Sequence, residues 1–311
     1  MTEQSLYQEL AGTIGAPDSK FIPLILEKLA DEKAARVVLA ASPPATLQEL
    51  SEKTGCDESE VKAILDDMFQ KGLVYKSKKP EATRYYRFKH ILQLHDANIL
   101  TPGLPTEVID LWREFNKDEW PATHHFIEEV LPAPAARVIP VNESVSSEAQ
   151  VMPFDDLTEM VNSASRIAVV NCTCRLVEGD CGLPLENCIQ LNKAADYTVE
   201  RGTGREISRE ETFSILEEAR RVGLVPVVDN RRSNGHIICN CCRDCCVNWP
   251  DPKNYRQKFA APSRYTAAVN MDLCSACETC VDRCFFDAIL MNDDGDLAVV
   301  YEEKCLGCGV C

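Results

Sequence analysis

The spacing of cysteines constrains this chain more than any other feature of its sequence. Of its 17 cysteines, 16 lie after residue 170, and the stretch "CNCCRDCC" at 239–246 holds five of them. The start, "MTEQSLYQEL", has no basic stretch followed by an apolar run, so we expect no signal peptide. We therefore expect a cytoplasmic protein, in which thiols stay reduced and clustered cysteines bind metal more often than they form disulfides.

The net charge of the chain limits the kinds of partner that it is expected to bind. The 311 residues carry a formal net charge of −16, with a pI near 4.8. Neutralising phosphates needs a basic face, so this charge argues against a general nucleic-acid binder. We expect no membrane span, because no apolar run approaches the roughly 18–20 residues that one needs. An acidic surface suits either docking to a basic protein partner or solubility.

Residues 1–95 carry the pattern of a small helical domain with a hairpin. Apolar residues recur at helical spacing through 21–41. Thr46 is placed to cap a short helix that ends at Gly55, and a second helix and two short strands follow. This order of helix, helix–turn–helix and β-hairpin resembles the winged-helix fold over about residues 20–90.

The second helix of that pattern argues against DNA binding, because a helix in the major groove needs Arg, Lys, Asn or Gln near its start. Its acidic residues are Asp57, Glu58, Glu60, Asp66 and Asp67. The hairpin is more basic, which leaves a weak phosphate contact open. We therefore expect this domain to dock a protein or to form a homodimer. Cys56 is predicted to be a small buried apolar residue rather than a ligand.

Residues 96–150 are predicted to form a linker that is part helical and part extended. The stretch "LPTEVIDLWREF" is typical of one helix with Trp112 and Phe115 in the core, and a stretch rich in Pro, Ala and Ser follows it. His124 and His125 are adjacent in the sequence. Neighbouring histidines usually point in different directions, so a polar or packing role is favoured over a metal site.

Residues 151–262 are predicted to form a small α/β module whose cysteines lie at strand ends. Three short β-branched runs are found at 166–174, 223–230 and 235–242, and two of them lead directly into cysteines. A helix that opens with the capping-box pattern "SREE" connects the first two runs. Strand, helix and strand in this order suggest an α/β unit that presents thiols in loops at its edge.

This module supplies nine thiols in two groups. The first is Cys172, Cys174, Cys181 and Cys188, and the second is Cys239, Cys241, Cys242, Cys245 and Cys246. Both "VNCTCR" and "CNCCR" end in an arginine, which either offsets the charge of a cluster or forms a surface salt bridge. Four thiolates suit zinc or an iron–sulfur cluster, and this spacing leaves both open, beside reactive or structural thiols.

Residues 263–311 carry the most specific motif of the chain. A C-x₂-C-x₂-C-x₃-C run is followed by a C-x₂-C-x₂-C run, which together comprise Cys274, Cys277, Cys280, Cys284, Cys305, Cys308 and Cys311. Over about residues 265–311 the pattern resembles the bacterial two-[4Fe–4S] ferredoxin. In that family the first three cysteines of each run hold one cluster and the fourth reaches the other.

The resemblance implies one complete ligand set and one incomplete one. The complete set would be Cys284, Cys305, Cys308 and Cys311. The incomplete set would be Cys274, Cys277 and Cys280. We favour a domain cut short at its C-terminal end; a three-iron cluster or a ligand from elsewhere is the alternative. Phe285 stands where the family usually has proline, which alters a turn but removes no ligand.

The sequence thus predicts a multidomain α+β protein with a winged helix, a central small α/β Cys-rich module and a C-terminal ferredoxin-like dicluster domain. With a ferredoxin beside it, the stretch 172–246 is predicted to hold one or two further iron–sulfur clusters, with zinc as the alternative. The chain also resembles 4Fe-4S binding proteins of anaerobic bacteria, which end in such a dicluster domain after a "CNCC…CC" segment.

A cluster held by four protein thiolates has no open position for substrate, so its use is single-electron transfer. Residues 265–311 hold nine acidic and two basic residues, a net −7, which lowers the redox potential and attracts basic partners. We expect a low-potential electron carrier between a soluble donor and a larger oxidoreductase or flavoprotein in anaerobic metabolism. The alternatives are a redox-sensing winged-helix regulator and an oxidoreductase subunit with an open-site cluster in 172–246. Whether the chain is an enzyme stays open.

Overall fold

The chain forms two compact units, unit 1 (Met1–Thr123) and unit 2 (His124–Cys311). The structure is a computed structural model, and it describes residues 5–141, 156–179, 181–230, 235–250 and 258–311. Within those ranges no helix has both the length and the apolar character needed to cross a lipid bilayer.

Unit 1 consists of helices and one antiparallel hairpin. Its elements are α1 (Leu6–Gly12), α2 (Ile22–Leu29), α3 (Glu32–Ala40), α4 (Leu47–Thr54), α5 (Glu58–Gln70), β1 (Val74–Lys78), β2 (Thr83–Arg87), α6 (Ile91–Ile99), α7 (Thr106–Asp118) and α8 (Trp120–Val130), the last of which crosses into unit 2. Helices α4 and α5 and the β1–β2 hairpin follow the predicted order, whereas residues 21–41, predicted as one helical stretch, form two helices, α2 and α3. The resemblance to a winged helix stays a prediction.

Local signals explain where α4 begins and ends. The Thr46 hydroxyl accepts a hydrogen bond from the Glu49 N–H at 3.2 Å, and the Glu49 carboxylate accepts one from the Thr46 N–H at 2.8 Å. The helix ends at Gly55, whose φ of 70° is a left-handed conformation that favours glycine. Cys56 follows in the turn and is half-buried. It is not the core residue that the sequence predicts, because the turn between two helices lies near the surface.

The apolar faces of these helices meet in one core. Its fully buried large side chains include Leu26, Leu50, Leu65, Met68, Phe69, Phe88, Trp112 and Phe115. Each such side chain contributes about 1.5–3 kcal/mol by leaving water. Trp112 and Phe115 lie on α7, which confirms the helix predicted there, and the Trp112 indole donates to Asn98 Oδ1 at 3.0 Å inside the core.

Unit 2 is built on a seven-stranded sheet. Its elements after α8 are β3 (Ala136–Val138), α9 (Leu157–Ser163), β4 (Ile167–Asn171), α10 (Thr173–Glu178), β5 (Glu186–Leu191), α11 (Lys193–Arg201), β6 (Arg205–Glu206), α12 (Arg209–Arg221), β7 (Val225–Asp229), β8 (Ile237–Cys241), β9 (Ala260–Ala261), α13 (Thr279–Arg283), β10 (Ile289–Met291) and β11 (Ala298–Val300). The order across the sheet is β6-β4-β5-β8-β7-β3-β9. All neighbours are antiparallel except β3 and β9.

The sheet topology differs from the α/β unit that the sequence predicts. Strands β4, β7 and β8 confirm the three β-branched runs. However, β4 and β7 are not neighbours, because β5 and β8 lie between them. The register pairs Val170 with Cys188 and Val225 with Cys241. The end of β4, the start of β5 and the end of β8 therefore meet at one edge of the sheet, and the central cysteines lie at that edge.

Helix α12 covers one face of this sheet. Phe213 and Leu216 pack against a core that includes Val169 and Ile238. The Ser208 hydroxyl accepts from the Glu211 N–H at 3.1 Å, as its capping role requires. The predicted capping box is only half formed, because the Glu211 carboxylate pairs with Arg205 at 2.6 Å.

The predicted linker between the modules contains regular structure. Residues Ala136–Val138 form β3, which pairs with β7, so this part of the extended connector belongs to the sheet. Residues 142–150 of the predicted linker lie outside the described residues. The two adjacent histidines diverge as predicted: His124 is 1% exposed and packs 4.6 Å from the Phe259 ring, whereas the His125 side chain is 74% exposed.

The C-terminal segment packs within unit 2. The Val141 N–H donates to the Cys308 carbonyl at 2.9 Å. The guanidinium of Arg283 donates to the carbonyls of Arg220 at 2.9 Å and Arg221 at 3.1 Å, which lie at the C-terminal end of α12. The boundaries predicted at residues 95, 150 and 262 stay predictions.

Candidate metal centre

The first group of central cysteines follows the end of β4. Cys172 is the N-cap of α10, and Cys174 lies in the first turn of that helix. The helix ends at Gly179, whose φ is 94°. Cys181 follows in the loop that leads back to the sheet, and Cys188 lies on β5. One helical turn and one loop therefore carry three thiols away from the strand end.

The second group lies on β8 and in the turn after it. Cys239 and Cys241 are two residues apart on the strand, so both side chains point to the same face. Cys242, Cys245 and Cys246 follow in the turn and are buried. The strand and its turn thus present five thiols toward the loop that carries the first group.

Three of these thiols converge closely. The Sγ atoms of Cys181, Cys242 and Cys245 all lie within 4.8 Å of one another. Ala219 and Leu224, at the end of α12 and just before β7, pack against Cys242 and Cys245. Apolar side chains therefore shield this group from water. We call it the thiol triad.

A second set of thiols lies beside the triad. Hydrogen bonds from Cys174 and Cys241 lower the pKa of the Cys246 thiol to about 6. The pKa of Cys241 is raised well above its usual range, because its thiol is hydrogen-bonded to Cys239 and Cys246 and is buried. These hydrogen bonds group Cys174, Cys239, Cys241 and Cys246 into one set of thiols. Thiolates, not thiols, are the metal ligands.

The two remaining central cysteines make different contacts. A hydrogen bond to Cys174, together with burial, raises the pKa of the Cys172 thiol. The Gln190 amide donates to Cys188 Sγ at 3.3 Å on β5. Among the described residues neither of them joins the triad within 4.8 Å.

The two arginines of the repeated pattern differ in their surroundings. Arg175 is 4% exposed, and its guanidinium donates to the carbonyls of Pro184 at 2.5 Å and Asn240 at 2.7 Å. Burial lowers the pKa of Arg175, but its interactions with Cys172 and Cys242 outweigh that effect and raise it. Arg243, in contrast, forms an exposed ion pair with Asp287. Arg243 thus forms the surface salt bridge that was one of the two predicted roles, whereas the role of Arg175 in offsetting the charge of a cluster stays a prediction.

The first C-terminal run surrounds a cavity of about 360 Å³. Cys274, Cys277 and Cys280 line it, and so does Cys311. Apolar residues of the β10–β11 hairpin, such as Ile289, complete the wall. A hydrogen bond from the Thr279 side chain holds the pKa of Cys277 below its usual value. Cys311 therefore lies beside the set that lacks a fourth cysteine in the sequence pattern.

The second C-terminal set is more enclosed. Burial, together with the charges of Cys311, Cys284 and Cys305, raises the pKa of the Cys308 thiol to about 12. The Ala288 N–H donates to Cys284 Sγ at 3.2 Å. The residues that the ferredoxin resemblance groups together thus interact electrostatically in the structure.

A buried aromatic contact links the residues just after the central cysteine region (Cys172–Cys246) to the C-terminal cysteine region (Cys274–Cys311). Trp249 lies 5.1 Å from the Phe285 ring and 5.5 Å from the Phe286 ring. Phe285 occupies the position where the ferredoxin pattern has proline, and it is buried against this indole. The departure from the pattern therefore has a packing reason, which sequence reasoning missed.

Comparison with curated proteins finds a match to a "Probable ferredoxin" of Methanosarcina thermophila, 56% identical over 38 residues. The match covers 12% of this chain and 64% of that protein, so the chain spans less than two-thirds of the relative it matches. No family model matches the chain. No solved structure matches it either.

The chemistry of the donor sets fits a sulfur-ligated metal group. Sixteen cysteines lie in the two regions, and soft thiolate ligands select zinc and iron–sulfur clusters. The cavity beside Cys274, Cys277 and Cys280 has room for a polyatomic group. The sulfur atoms of the triad lie too close together to surround a polyatomic group of that kind.

Proposed function

We propose that this chain is an iron–sulfur electron-transfer protein of the cytoplasm, which relays low-potential single electrons between a soluble donor and a larger oxidoreductase or flavoprotein in anaerobic metabolism. The observation that carries the proposal is the C-terminal cysteine region, with its paired C-x₂-C-x₂-C runs and its cavity. The 56% identity with a "Probable ferredoxin" over 38 residues supports it.

Two ligand sets would hold [4Fe–4S] groups in this region. One would be Cys284, Cys305, Cys308 and Cys311, and the other would begin with Cys274, Cys277 and Cys280. The bound groups would supply one-electron reduction and oxidation. In the central cysteine region, the set Cys174, Cys239, Cys241 and Cys246 would hold a further iron–sulfur group.

The protein's own residues would set the environment of these groups. Phe285, Phe286, Leu306 and Val310, which lie next to or near cysteines of the second set in the sequence, are buried. The Ala288 N–H stabilises negative charge on Cys284 Sγ, and such hydrogen bonds tune the potential of a sulfur-ligated metal. The net −7 over residues 265–311 favours a low potential and attracts a basic partner surface.

We propose that unit 1 is a winged-helix-like module that docks a protein or a second copy of the chain. Charge pairing on α5 supports a role other than DNA binding. Lys62 pairs with Asp66, Lys71 lies 2.8 Å from Asp67, and Lys76 of β1 lies 3.8 Å from Asp66. Cations held by neighbouring carboxylates are poorly placed to neutralise phosphates. Tight, sequence-selective binding of promoter fragments in a low-salt mobility-shift assay would favour the regulator instead.

The proposal is tested on full-length protein purified without oxygen. We expect iron and sulfide in equal amounts and an EPR signal after reduction. We also expect a reduction potential of about −400 mV, as in plant-type ferredoxins. Cys308→Ser should remove about four irons per chain, because one ligand set is broken. Cys56→Ser is the matched control, since Cys56 lies in unit 1 and should change neither iron nor signal.

A colourless, folded and iron-free preparation would contradict the proposal. So would a Cys308→Ser protein that keeps all of its iron. A cluster that is present but has a positive potential would leave an iron–sulfur protein that is not a low-potential carrier.

A further inference from the structure

The thiol triad differs from the other cysteine sets in the distances between its sulfur atoms. Cys181, Cys242 and Cys245 have mutual Sγ distances within 4.8 Å. Among the described residues this is the only group of three or more His, Cys, Asp or Glu whose ligand atoms lie so close together. The cysteines of the C-terminal region do not form such a group in the part of the chain that the structure describes.

Sulfur spacing discriminates between a single ion and a cubane. Tetrahedral zinc with bonds of about 2.3 Å brings its thiolates within about 3.8 Å of one another. In a [4Fe–4S] cubane each thiolate binds a different iron at a separate corner, so the sulfur atoms stand farther apart. The triad's sulfur atoms, all within 4.8 Å of one another, are close enough to share one ion and too close for the corners of a cubane.

We propose that Cys181, Cys242 and Cys245 bind one Zn²⁺ ion, at a site separate from the iron–sulfur groups. Three thiolates and one divalent ion carry a net charge of −3 + 2 = −1. The buried guanidinium of Arg175 offsets this charge, since it interacts with Cys242 and Cys181. Its hydrogen bonds to the Pro184 and Asn240 carbonyls hold it in place.

The ion would join parts of the chain that are far apart in sequence. Cys181 lies in the loop after α10, whereas Cys242 and Cys245 lie in the turn after β8. Cys174 lies on α10, and Cys246 lies in the turn after β8. Both belong to the second set of central thiols. A bound ion therefore fixes the loop and the turn that present those two thiols, which gives the site a structural role in the central cysteine region.

The first test is metal analysis of full-length protein from cells grown with both iron and zinc and purified without oxygen. We expect one zinc per chain in addition to the iron. Cys181→Ser and Cys245→Ser should lower bound zinc at least tenfold and leave the iron of the C-terminal cysteine region unchanged. Cys56→Ser and Cys277→Ser are the matched controls and should keep the zinc, while Cys277→Ser lowers iron.

A second measurement does not depend on how the variants fold. X-ray absorption at the zinc edge of the wild-type protein should show three or four sulfur neighbours at about 2.3 Å. Mostly nitrogen and oxygen neighbours would overturn the proposal. It would also fail if Cys181→Ser lost iron but no zinc, if iron replaced zinc at the triad, or if mass spectrometry of alkylated protein showed a Cys242–Cys245 disulfide. None of these outcomes bears on the iron and EPR signal of residues 274–311, so the two proposals fail independently.

Discussion

The two cysteine regions of unit 2 bring their thiols together by different routes. In the C-terminal cysteine region the thiols come from two short runs, so neighbouring residues in the sequence already form most of each set. In the central cysteine region they come from α10, from the loop after it, and from β8 with its turn. Cys181 and Cys242 meet only because β4, β5 and β8 are adjacent in the sheet.

The two cysteine regions also differ in the solvent exposure of their cysteines. Cys241, Cys242, Cys245 and Cys246 are buried, whereas Cys277 in the C-terminal region is exposed. Cysteines that are close together in the sequence can form a metal site with little support from a surrounding core. A site formed by distant segments needs the sheet to bring its cysteines together. We therefore expect changes in packing to affect the central region more than the C-terminal one.

The largest expected effect comes from the contact between the two regions. Trp249→Ala removes a side chain that is 4% exposed and packs on Phe285 and Phe286. We expect a loss of about 3–5 kcal/mol, because a large cavity forms. Trp249→Phe is the control and should cost less, since it keeps an aromatic ring there. Amide hydrogen exchange should rise in both β8 and the β10–β11 hairpin. If only β8 loosens, the two regions are energetically independent.

The next effect tests the buried charge of the central region alone. Arg175→Met keeps the bulk of the side chain but leaves the Asn240 carbonyl without its donor and the thiolates without their counter-charge. We expect a loss of about 3 kcal/mol, the range for breaking a buried charged interaction. Arg175→Lys retains the charge and should lose less. Thermal unfolding measures both variants, and an Arg175→Met protein as stable as wild type would show that the guanidinium has no such role.

Acid should weaken unit 2 through His124. Burial lowers the pKa of His124 to about 4, from an ordinary value of 6.5, although a hydrogen bond to the Asn248 carbonyl opposes the shift. Because the proton binds the unfolded chain more readily, stability is full above pH 6.5 and falls as the pH drops toward 4. The difference is about 2 kcal/mol at pH 5, at about 1.4 kcal/mol per pH unit.

The control for that effect is His124→Gln, which cannot ionise. Its stability relative to wild type should rise between pH 7 and pH 5, measured as the difference in unfolding midpoint at each pH. A pH profile of His124→Gln that runs parallel to the wild type would contradict the assignment.

Local signals in the sequence predicted much of the fold. The Thr46 cap, the Ser208 cap and the α7 core residues Trp112 and Phe115 are where they were expected. These features depend on residues within one helix, so no knowledge of the tertiary structure is needed. The ferredoxin-like spacing is local as well, which is why the sequence alone suggested it.

Features that depend on tertiary contacts were missed. Strand β5 went unnoticed, although Asn187, Ile189 and Leu191 alternate with more exposed residues as a half-buried strand requires. The thiol triad had no sequence signal, because 60 residues and four strands separate Cys181 from Cys242. The partner of Phe285 is Trp249, which lies far away in the sequence, so its role was hidden too.

The smallest effect concerns the second arginine of the repeated pattern. Arg243 Nη1 donates to Asp287 Oδ1 at 2.8 Å, and the two side chains are 45% and 49% exposed. Water competes for such a pair, so a double-mutant cycle with Arg243→Met and Asp287→Asn should give a coupling of about 0.2–1 kcal/mol. The coupling should shrink further in high salt, because exposed charges are screened. A coupling as large as the loss of stability expected for Arg175→Met would mean that the exposed and the buried arginine contribute equally to stability. Burial would then not explain the difference between the central and the C-terminal cysteine regions.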